Sequence, residues 1–432
     1  DGSGNPMVIW GRMSDESVFF SRWTGTSFST PVKLNPTGFT VATASWMGPD
    51  IASKGDTVYV VVKQTPENLS SSNIYIIRSF DAGITFSAPI RVDAIADSIS
   101  RFPTVSIDEA GNPIVAFMKF DSKFMNSRWA VAKSSDYGST FSKDVKVSGW
   151  SGMDAEICDC CPGAVVSSGD VTAMLYRDNL KNIRDIWTGI STNNNTTYTK
   201  GFRADNTNWN INSCPASGPD GTIIGDSLYT VFLSGGSGDF RTYLSRSSIS
   251  NGKASTVSPL TGSITGLSQQ NYPRIANSGN AMAIVWKQIV NGRTQIPILF
   301  TNDIAKGFST TIENVDLNDN TNVDVAMTSD KVFVVWEDDN AGTITYRTGT
   351  YTPSTTSVKD EIVQGDFSIY PNPASDFIEI EPDKYPGLIT IYNQTGANVL
   401  EAESQERIDI RCLPSGVYFL KIGNKLSRFA KL

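Results

Sequence analysis

The sequence predicts an all-β protein in two parts, a series of similar β-sheets over residues 1–351 and a small β-domain over residues 366–432. Three observations support this prediction. Apolar strands recur along the first part, related polar turns follow several of them, and the last part alternates apolar and polar side chains between Pro, Gly and Asn turns. A period of two is the pattern of a strand with one buried face.

One strongly apolar strand recurs about every 45 to 55 residues, the period of propeller blades. Its β-branched and aromatic residues favour burial on both faces. The predicted strands are 57–62, 113–117, 171–176, 228–232, 281–286 and 332–336. We therefore predict a seven-bladed β-propeller with blades near 1–40, 41–95, 96–149, 150–206, 207–260, 261–316 and 317–351. A six-bladed ring with the incomplete ends merged is the alternative.

The first ten residues match the turn and apolar strand at 108–117, so the chain is expected to begin one strand into a blade. The first blade then lacks its innermost strand and the last its outermost. We expect a precursor with a signal peptide and one further strand before Asp1.

Composition excludes several kinds of chemistry. The chain has no histidine, which excludes a Ser-His-Asp triad and His-ligated zinc or haem. A net charge of −8 without a basic run argues against nucleic acid binding. No apolar run is long enough for a transmembrane segment. Glycoside hydrolysis by carboxylates and tyrosine stays open.

Two polar turns share the pattern S-x-D-x-G-x-T-F. Asp can bind backbone amides of such a turn, Gly supplies a positive φ, and the aromatic fills space between sheets. These motifs resemble the Asp boxes of sialidases and other BNR-repeat propellers, in which they are scaffold and lie between the third and fourth strands. Weaker copies occur at 191–198 and 21–28. The two clear copies consist of Ser79, Asp81, Gly83, Thr85 and Phe86, and of Ser134, Asp136, Gly138, Thr140 and Phe141.

The fourth blade carries a cysteine-rich turn, and Cys214 lies at the equivalent point of the next blade. The turn contributes Cys158, Cys160 and Cys161. Both segments should lead into innermost strands, so the thiols are expected to gather near the axis. A disulfide, for example between Cys214 and one of the other three, is the leading interpretation in an oxidising setting. A thiolate-bound copper or zinc ion and free thiols are the alternatives.

The fourth blade also resembles proteins labelled exo-α-sialidase or BNR-repeat. Sialidases hold a substrate carboxylate with three arginines, use a Tyr/Glu pair as nucleophile and an Asp as acid/base, so the resemblance implies candidates of these types. The FRIP element of that family is absent, and structural ion pairs are the competing interpretation for each arginine. The candidates are Arg177, Asp178, Arg184, Asp185, Glu156, Arg101, Arg274 and Tyr272.

The segment 316–324 is dense in oxygen ligands, but it lacks the Gly and terminal Glu of an EF-hand loop. A solvated loop is the favoured interpretation and a calcium site the alternative. No other cofactor is expected.

Residues 352–365 are polar and aperiodic and are predicted to be a flexible linker. The following 366–432 segment resembles the type A C-terminal sorting domain of the type IX secretion system of Bacteroidetes. A plain Ig-like accessory domain is the alternative. Cys412 is expected to be buried in an apolar strand. The residues that carry the resemblance are Tyr370, Pro371, Asn372, Pro373, Leu413, Pro414, Ser415, Gly416, Tyr418 and the basic end with Lys431.

This resemblance implies export across the outer membrane to the cell surface or the extracellular space. The implied partners are the outer-membrane translocon and its shuttle protein, and whether the domain is cleaved stays open. Three functions follow as hypotheses: a propeller that recognises an extracellular glycan or polymer, a sialidase-type glycoside hydrolase, and a structural cargo bound to the export machinery. A fold of this kind hosts many activities, so it does not choose among them.

Overall fold

The structure, a computed structural model, describes residues 1–44, 46–94, 98–152, 155–309, 311–318, 320–354, 363–364, 369–380, 388–393, 397–403, 407–422 and 425–432. The chain forms two compact units, Asp1–Ser354 and Thr355–Leu432. Most of the predicted linker, Asp154, Asp319 and Gly396 lie outside the described residues.

The first unit consists of seven antiparallel sheets in chain order, and each is formed by consecutive strands. The first three sheets contain β1 Met7–Arg12, β2 Ser17–Arg22, β3 Val32–Lys33; β4 Asp50–Lys54, β5 Thr57–Lys63, β6 Ile74–Ser79, β7 Ile90–Arg91; and β8 Ser98–Ile107, β9 Pro113–Asp121, β10 Arg128–Lys133, β11 Val145–Lys146.

In the fourth sheet, two short strands pair with the same central strand, β14. The fourth and fifth sheets contain β12 Glu156–Ile157, β13 Ala164–Ser168, β14 Val171–Asn179, β15 Ile186–Ser191, β16 Lys200–Arg203; and β17 Asp220–Ile224, β18 Ser227–Ser234, β19 Arg241–Ser248, β20 Lys253–Pro259.

The sixth sheet has four strands and the seventh has three. They contain β21 Leu267–Ser278, β22 Ala281–Val290, β23 Arg293–Thr301, β24 Glu313–Asp316; and β25 Asn320–Met327, β26 Lys331–Asp338, β27 Thr343–Thr350. Two single 3-10 turns, Met13–Asp15 and Ile304–Lys306, are the helical elements among the described residues.

The six predicted apolar strands are confirmed as β5, β9, β14, β18, β22 and β26. Their side chains pack between adjacent sheets, as in the core cluster that joins Tyr59 and Val61 of β5 to Val115 and Phe117 of β9. Each sheet therefore buries both faces against its neighbours, which explains why these strands are apolar at successive positions instead of alternating.

The first and seventh sheets have three strands each among the described residues. These two sheets lie beside each other, because the ring of Tyr346 on β27 stacks edge-on against Trp23 and Phe28. The sheets thus follow one another around a closed series. The blade count of seven stays a prediction.

The first strands of successive sheets contact one another in the order β4, β8, β13, β17, β21 and β25, which makes them the innermost strands. Three of them, β8, β21 and β25, contain a bulge at a residue of positive φ: Phe102, Tyr272 and Asn322 have φ of 50°, 52° and 50°. The strand register shifts at each of these points. A bulge re-aims the following side chain.

The Asp-box turns connect the third and fourth strands of their sheets. In the first, Asp81 accepts hydrogen bonds from the hydroxyl of Ser79 at 2.7 Å and from the amide of Thr85 at 2.9 Å. Gly83 has φ +77°, and a Cβ there would lie 2.3 Å from a ring carbon of Phe20. The second turn has the same bonds around Asp136. These residues are scaffold.

The second unit is a β-sandwich with a five-stranded sheet and a two-stranded sheet among the described residues. Isoleucines from both sheets, with Leu413, Leu420 and Phe429, form its core. Its strands are β28 Val363–Gln364, β29 Phe377–Glu379, β30 Leu388–Tyr392, β31 Asn398–Glu403, β32 Arg407–Asp409, β33 Gly416–Ile422 and β34 Lys425–Lys431.

Two motifs of the C-terminal unit are tied to its own framework. Asn372 donates a hydrogen bond to the carbonyl of Arg428 and accepts one from the amide of Ala430, so the YPNP segment lies along β34. The hydroxyl of Tyr418 donates to the carbonyl of Pro414 at 2.8 Å.

The expectation for Cys412 was wrong. Its side chain is exposed, because it lies in the turn between β32 and β33 and not within a strand. Leu413, the next residue, is buried in its place.

Candidate functional site

Four cysteines converge where the chain enters the innermost strands of the fourth and fifth sheets. Cys158, Cys160 and Cys161 follow β12 directly, and Cys214 lies in the segment before β17. Their four sulfur atoms lie within 4.8 Å of one another. We call these four residues the cysteine cluster. Among the described residues they are the one group of three or more Cys, Asp or Glu side chains close enough to share a metal ion.

Cys160 and Cys214 form a disulfide, so the predicted pairing of Cys214 with a cysteine of the turn is confirmed. It links two sheets across a sequence separation of 54 residues. Cys158 and Cys161 remain as buried free thiols, and their sulfurs are 3.2 Å apart. The sulfur of Cys158 also lies 3.8 Å from that of Cys160 and 4.0 Å from that of Cys214.

Two arginines give the cluster its positive surroundings. Arg184 donates from Nη1 to the sulfur of Cys158 at 2.9 Å and from Nε to the carbonyl of Ile211 at 3.1 Å. Arg177 is fully buried, and its charge also acts on Cys158 and Cys161. Thiolates are stabilised by such neighbours.

The two free thiols differ in acidity. The hydrogen bond from Cys161, together with the charges of Arg184 and Arg177, lowers the pKa of Cys158 to about 6 despite its burial. Burial, followed by the proximity of Cys158, raises the pKa of Cys161 well above its ordinary value. Near neutral pH the pair therefore carries one thiolate, on Cys158, and one thiol, on Cys161.

Arg177 does not have the geometry of a substrate clamp, which corrects the sequence-based expectation. Its guanidinium donates to three backbone carbonyls, those of Ser217, Arg184 and Leu233, at 2.6 to 3.1 Å. It also lies over the ring of Trp209. Arg177 therefore ties the fourth sheet to the fifth, and none of its faces is open to a ligand.

Asp178 and Asp185, two of the acidic candidates, pair with neither Arg177 nor Arg184. Asp185 is paired with Arg203 and accepts a hydrogen bond from the amide of Trp209. Asp178 is buried, and neither of its carboxylate oxygens meets hydrogen-bond geometry. Burial raises the pKa of Asp178 to about 6, although Ser151 and a backbone amide nearby offset part of this effect. Asp178 is thus a poorly satisfied acid beside the cysteine cluster.

The remaining candidates on this side of the propeller are Arg101 and Glu156. Arg101 pairs with Glu67 at 2.6 Å and reaches the carbonyl of Asp159 in the cysteine turn. Glu156 is exposed on β12. Arg101 thus bridges two neighbouring sheets.

A second group of polar side chains lies on the innermost strands. Of its members, only Arg274 was a candidate from the sequence. Each member pairs with the middle of the adjacent apolar strand, as Asp50 does with Val61 and Arg274 with Val285. We call it the axial group. It comprises Asp50, Thr104, Asp220, Arg274 and Asp324.

Two members of the axial group tie neighbouring sheets together. Asp50 accepts from the hydroxyl of Thr104 at 2.8 Å and from the amide of Val105 at 2.9 Å. Asp220 accepts from the amide of Ile275 at 3.0 Å. Desolvation raises the pKa of Asp50, and it raises the pKa of Asp220 to about 6 even though Arg274 opposes the shift.

Arg274 differs from the other members of the axial group. Within the described part of the chain it has no hydrogen bond and no ion pair, and its side chain keeps water-accessible surface. Desolvation by the surrounding protein lowers its pKa, but the charges of Asp220, Asp324 and Asp50 raise it above its ordinary value. The guanidinium is therefore a permanent cation among three carboxyl groups, with its donors unused.

Tyr272 connects the two groups. It lies two residues before Arg274 on β21 and is half-buried. Burial raises the pKa of its phenol, and the nearby Cys161 adds to the shift. Tyr272 therefore lies near Cys161 in space and near Arg274 in sequence.

Sequence reasoning missed Asp50, Asp220 and Asp324. A signal was present, since a proline immediately precedes Asp50 and Asp220 as it does Thr104 and Arg274. At Thr104 and Arg274 this proline lies within the bulge of the innermost strand.

The calcium alternative for segment 316–324 is not supported by its local geometry. Asp316 accepts from the amide of Leu317 and from the side chain of Asn318, and Asn322 donates to Glu337. From Asn320 onward the segment is the strand β25, which separates its polar side chains onto two faces.

Comparison with known proteins identifies the C-terminal unit. Residues 368–431 match the secretion system C-terminal sorting domain. The chain matches no curated protein sequence. None of its described helices is both long and apolar enough to cross a membrane.

Solved structures similar to this chain include two sialidases and a protein of unknown function. A leech intramolecular trans-sialidase is 11% identical and has a TM-score of 0.49; the match covers 81% of this chain and 83% of the trans-sialidase chain. The NanB sialidase of Streptococcus pneumoniae is 10% identical and has a TM-score of 0.49; the match covers 77% of this chain and 80% of the sialidase chain. A Dyadobacter fermentans protein of unknown function is 11% identical, with 73% and 95% covered and a TM-score of 0.48. Likeness at this level assigns no activity.

The sorting domain marks proteins that the type IX secretion system exports to the cell surface or the extracellular space. Its partner is the secretion machinery. The chain therefore consists of an all-β unit, with seven sheets among the described residues, followed by a C-terminal sorting domain that makes it a cargo of the type IX secretion system.

Proposed function

We propose that the propeller of this exported protein recognises an extracellular glycan at the axial group, with Arg274 as its central binding residue. The observation that carries the proposal is that the guanidinium of Arg274 has no hydrogen bond and no ion pair to any residue that the structure describes. An arginine whose donors are unused and which water can reach is ready to bind an acceptor from outside the chain.

The chemistry around Arg274 suits sugar hydroxyl groups, which both donate and accept hydrogen bonds. Asp324, which is exposed, and the half-buried Asp50 and Asp220 offer acceptors, whereas Arg274 offers donors. Three carboxyl groups around one arginine favour a neutral ligand over a strongly anionic one, because added negative charge would be repelled.

Aromatic side chains close to members of the axial group in sequence offer stacking surfaces. Tyr272 lies at the bulge before Arg274 on β21, and Trp46, which is 48% exposed, lies in the turn before β4, four residues ahead of Asp50. Aromatic faces pack against the apolar faces of sugar rings while carboxylates and arginine bind the hydroxyl groups.

The sialidase alternative has weaker support, because it needs three arginines free to hold a carboxylate. Arg177 uses its donors on backbone carbonyls, Arg184 binds Cys158 and a carbonyl, and Arg101 is paired with Glu67. This leaves Arg274 as the one sequence-predicted arginine without such partners.

A glycan array probed with the full chain, followed by calorimetry with the best ligand, tests the proposal. We expect Arg274→Ala to weaken binding at least about tenfold, since a lost charged hydrogen bond costs more than 1.4 kcal/mol. Arg347→Ala is the matched control, because Arg347 is exposed on β27. The absence of any glycan ligand, or equal binding by the two variants, would refute the proposal.

A fluorogenic sialoside separates the hydrolase from the recognition module. We expect no turnover by the parent protein. If the parent and Arg347→Ala turn over the sialoside but Arg274→Ala does not, the function is sialidase activity and the recognition proposal is wrong. A chain that neither binds glycans nor turns over sialosides would favour the structural cargo hypothesis.

A further inference from the structure

We propose that the cysteine cluster is a redox-controlled thiolate site for a zinc-type metal ion, which binds when the Cys160–Cys214 disulfide is reduced. The proposal is independent of the axial group and of glycan recognition. It rests on the arrangement, burial and charge of four side chains from two neighbouring sheets.

The sulfur positions match a tetrahedral metal thiolate. Four sulfurs at about 2.3 Å from a zinc ion lie roughly 3.8 Å from one another. The sulfur of Cys158 lies 3.2, 3.8 and 4.0 Å from those of Cys161, Cys160 and Cys214. All four lie within 4.8 Å, so opening one disulfide would give the ligand set without a large movement of the backbone.

The charge around the cluster balances such a complex. Four thiolates and one divalent ion leave about two negative charges, which need compensation in a buried site. The guanidinium groups of Arg184 and Arg177 both act on Cys158, and Arg184 donates directly to its sulfur. The amide of Ala216 donates to the sulfur of Cys214 at 3.3 Å. Donors of this kind orient metal ligands.

Burial favours an enclosed ion over a reactive dithiol. Cys158 is 0% exposed and Cys161 is 1% exposed, so a protein substrate cannot reach either sulfur. Cys160 is half-buried and Cys214 is exposed, which leaves a path by which a small ion and a small reductant can enter. Closed, four-ligand sites are the structural type of zinc centre.

Opening the site requires an external dithiol that reduces the Cys160–Cys214 disulfide. Two electrons and two protons from the reductant convert the Cys160–Cys214 disulfide into two thiols, and the reductant becomes a disulfide. The metal then binds the Cys158 thiolate and replaces the protons of the other three cysteines, which pass to the solvent. Oxidation by a disulfide reverses the first step and removes two ligands, so the ion leaves.

Cobalt titration of the full chain tests the site. The protein is reduced, freed of reductant without air, and titrated with Co²⁺, whose visible bands report tetrahedral thiolate ligation. We expect about one ion per chain, displacement by Zn²⁺, and no such bands for the oxidised chain. A chelator should then lower the temperature at which tryptophan fluorescence reports unfolding, because a ligand bound to the native state stabilises it.

Substitutions distinguish this site from incidental thiol binding. Cys158→Ser and Cys214→Ser should each weaken Zn²⁺ binding by more than about 100-fold. Cys412→Ser, which removes the exposed cysteine of the sorting domain, should leave it unchanged. Cys214 is exposed, so its variant keeps the core intact if Cys158→Ser fails to fold. Reduced protein without bands, or Cys214→Ser that binds as tightly as Cys412→Ser, would overturn the proposal.

Discussion

The guanidinium of Arg184 donates a hydrogen bond to the sulfur of Cys158 across 2.9 Å, in the interior of the propeller. These two residues come from different parts of the fourth sheet, one in the turn after β12 and the other between β14 and β15. Their contact makes the cysteine cluster electropositive and gives Cys158 an acidity that its burial alone would oppose.

Replacing Arg184 by Met should raise the pKa of Cys158, because it removes both a hydrogen bond and a positive charge. The ultraviolet absorbance of thiolates in the metal-free chain would be followed between about pH 5 and 8. The parent should show a transition near pH 6 that disappears in Cys158→Ser and moves upward in Arg184→Met. An unmoved transition in Arg184→Met would contradict this account of the acidity.

Replacing Asp178 by Asn should stabilise the propeller at neutral pH by up to about 3 kcal/mol. Burial raises the pKa of this carboxyl from 3.8 to about 6. The protonated carboxyl of Asp178 favours the folded state relative to the ionised one. This stabilisation is fully present below about pH 3.8 and is lost as the pH rises through about 6, where the buried group ionises.

Tryptophan fluorescence during denaturant unfolding measures this effect. All nine tryptophans precede residue 337, so the signal reports the propeller alone. The advantage of Asp178→Asn should vanish at low pH, and the exposed control Asp170→Asn should show none. An advantage that is independent of pH would rule out ionisation as its cause.

Replacing the glycine of the first Asp box by alanine should lower the free energy of unfolding more than the same change at another glycine of similar backbone conformation. Gly83 and Gly55 have φ of +77° and +58°, so alanine at either costs about 1–2 kcal/mol. At Gly83 the new methyl group would also meet Phe20 at 2.3 Å, whereas open space surrounds Gly55. Gly83→Ala should therefore lose at least about 2 kcal/mol more than Gly55→Ala in the same unfolding experiment. Equal losses would show that the ring of Phe20 moves freely aside.

Deleting residues 368–431 should abolish export while leaving the propeller folded, because the two units have separate cores. Secretion from a host with the type IX machinery would be compared between the full chain and the deletion. The tryptophan unfolding curve serves as the control for folding and should be unchanged. Continued secretion of the shortened protein would contradict the role of this domain.

Much of the architecture could be predicted because it follows from local patterns. The apolar runs that became β5, β9, β14, β18, β22 and β26 are continuous, since each strand is covered on both faces. The Asp boxes are also local, because their hydrogen bonds join residues two to four positions apart. The exposure of Cys412 was not predictable in this way, since one position in a turn decides whether it or Leu413 is buried.

The candidate site was predictable in its residue types but not in its partners. The sequence indicated that the cysteines would gather near the axis, and the resemblance to sialidases made arginines of the fourth blade candidates. It could not show that Arg177 donates to the carbonyl of Leu233, 56 residues away, and is thereby removed from ligand binding. Nor could it show that Asp220 and Asp324 surround Arg274.

By itself the sequence determined the all-β class, the repeated strands and the exported destination, because alternation, turn residues and the sorting motif are encoded in short stretches of chain. The tertiary structure alone decided which polar groups are satisfied and which remain free. Hydrogen bonds to distant backbone carbonyls and to Cys158 consume donors of Arg177 and Arg184, whereas Arg274 has no such bond to any residue in the described part of the chain. That difference arises from contacts between residues distant in sequence, which no local pattern encodes.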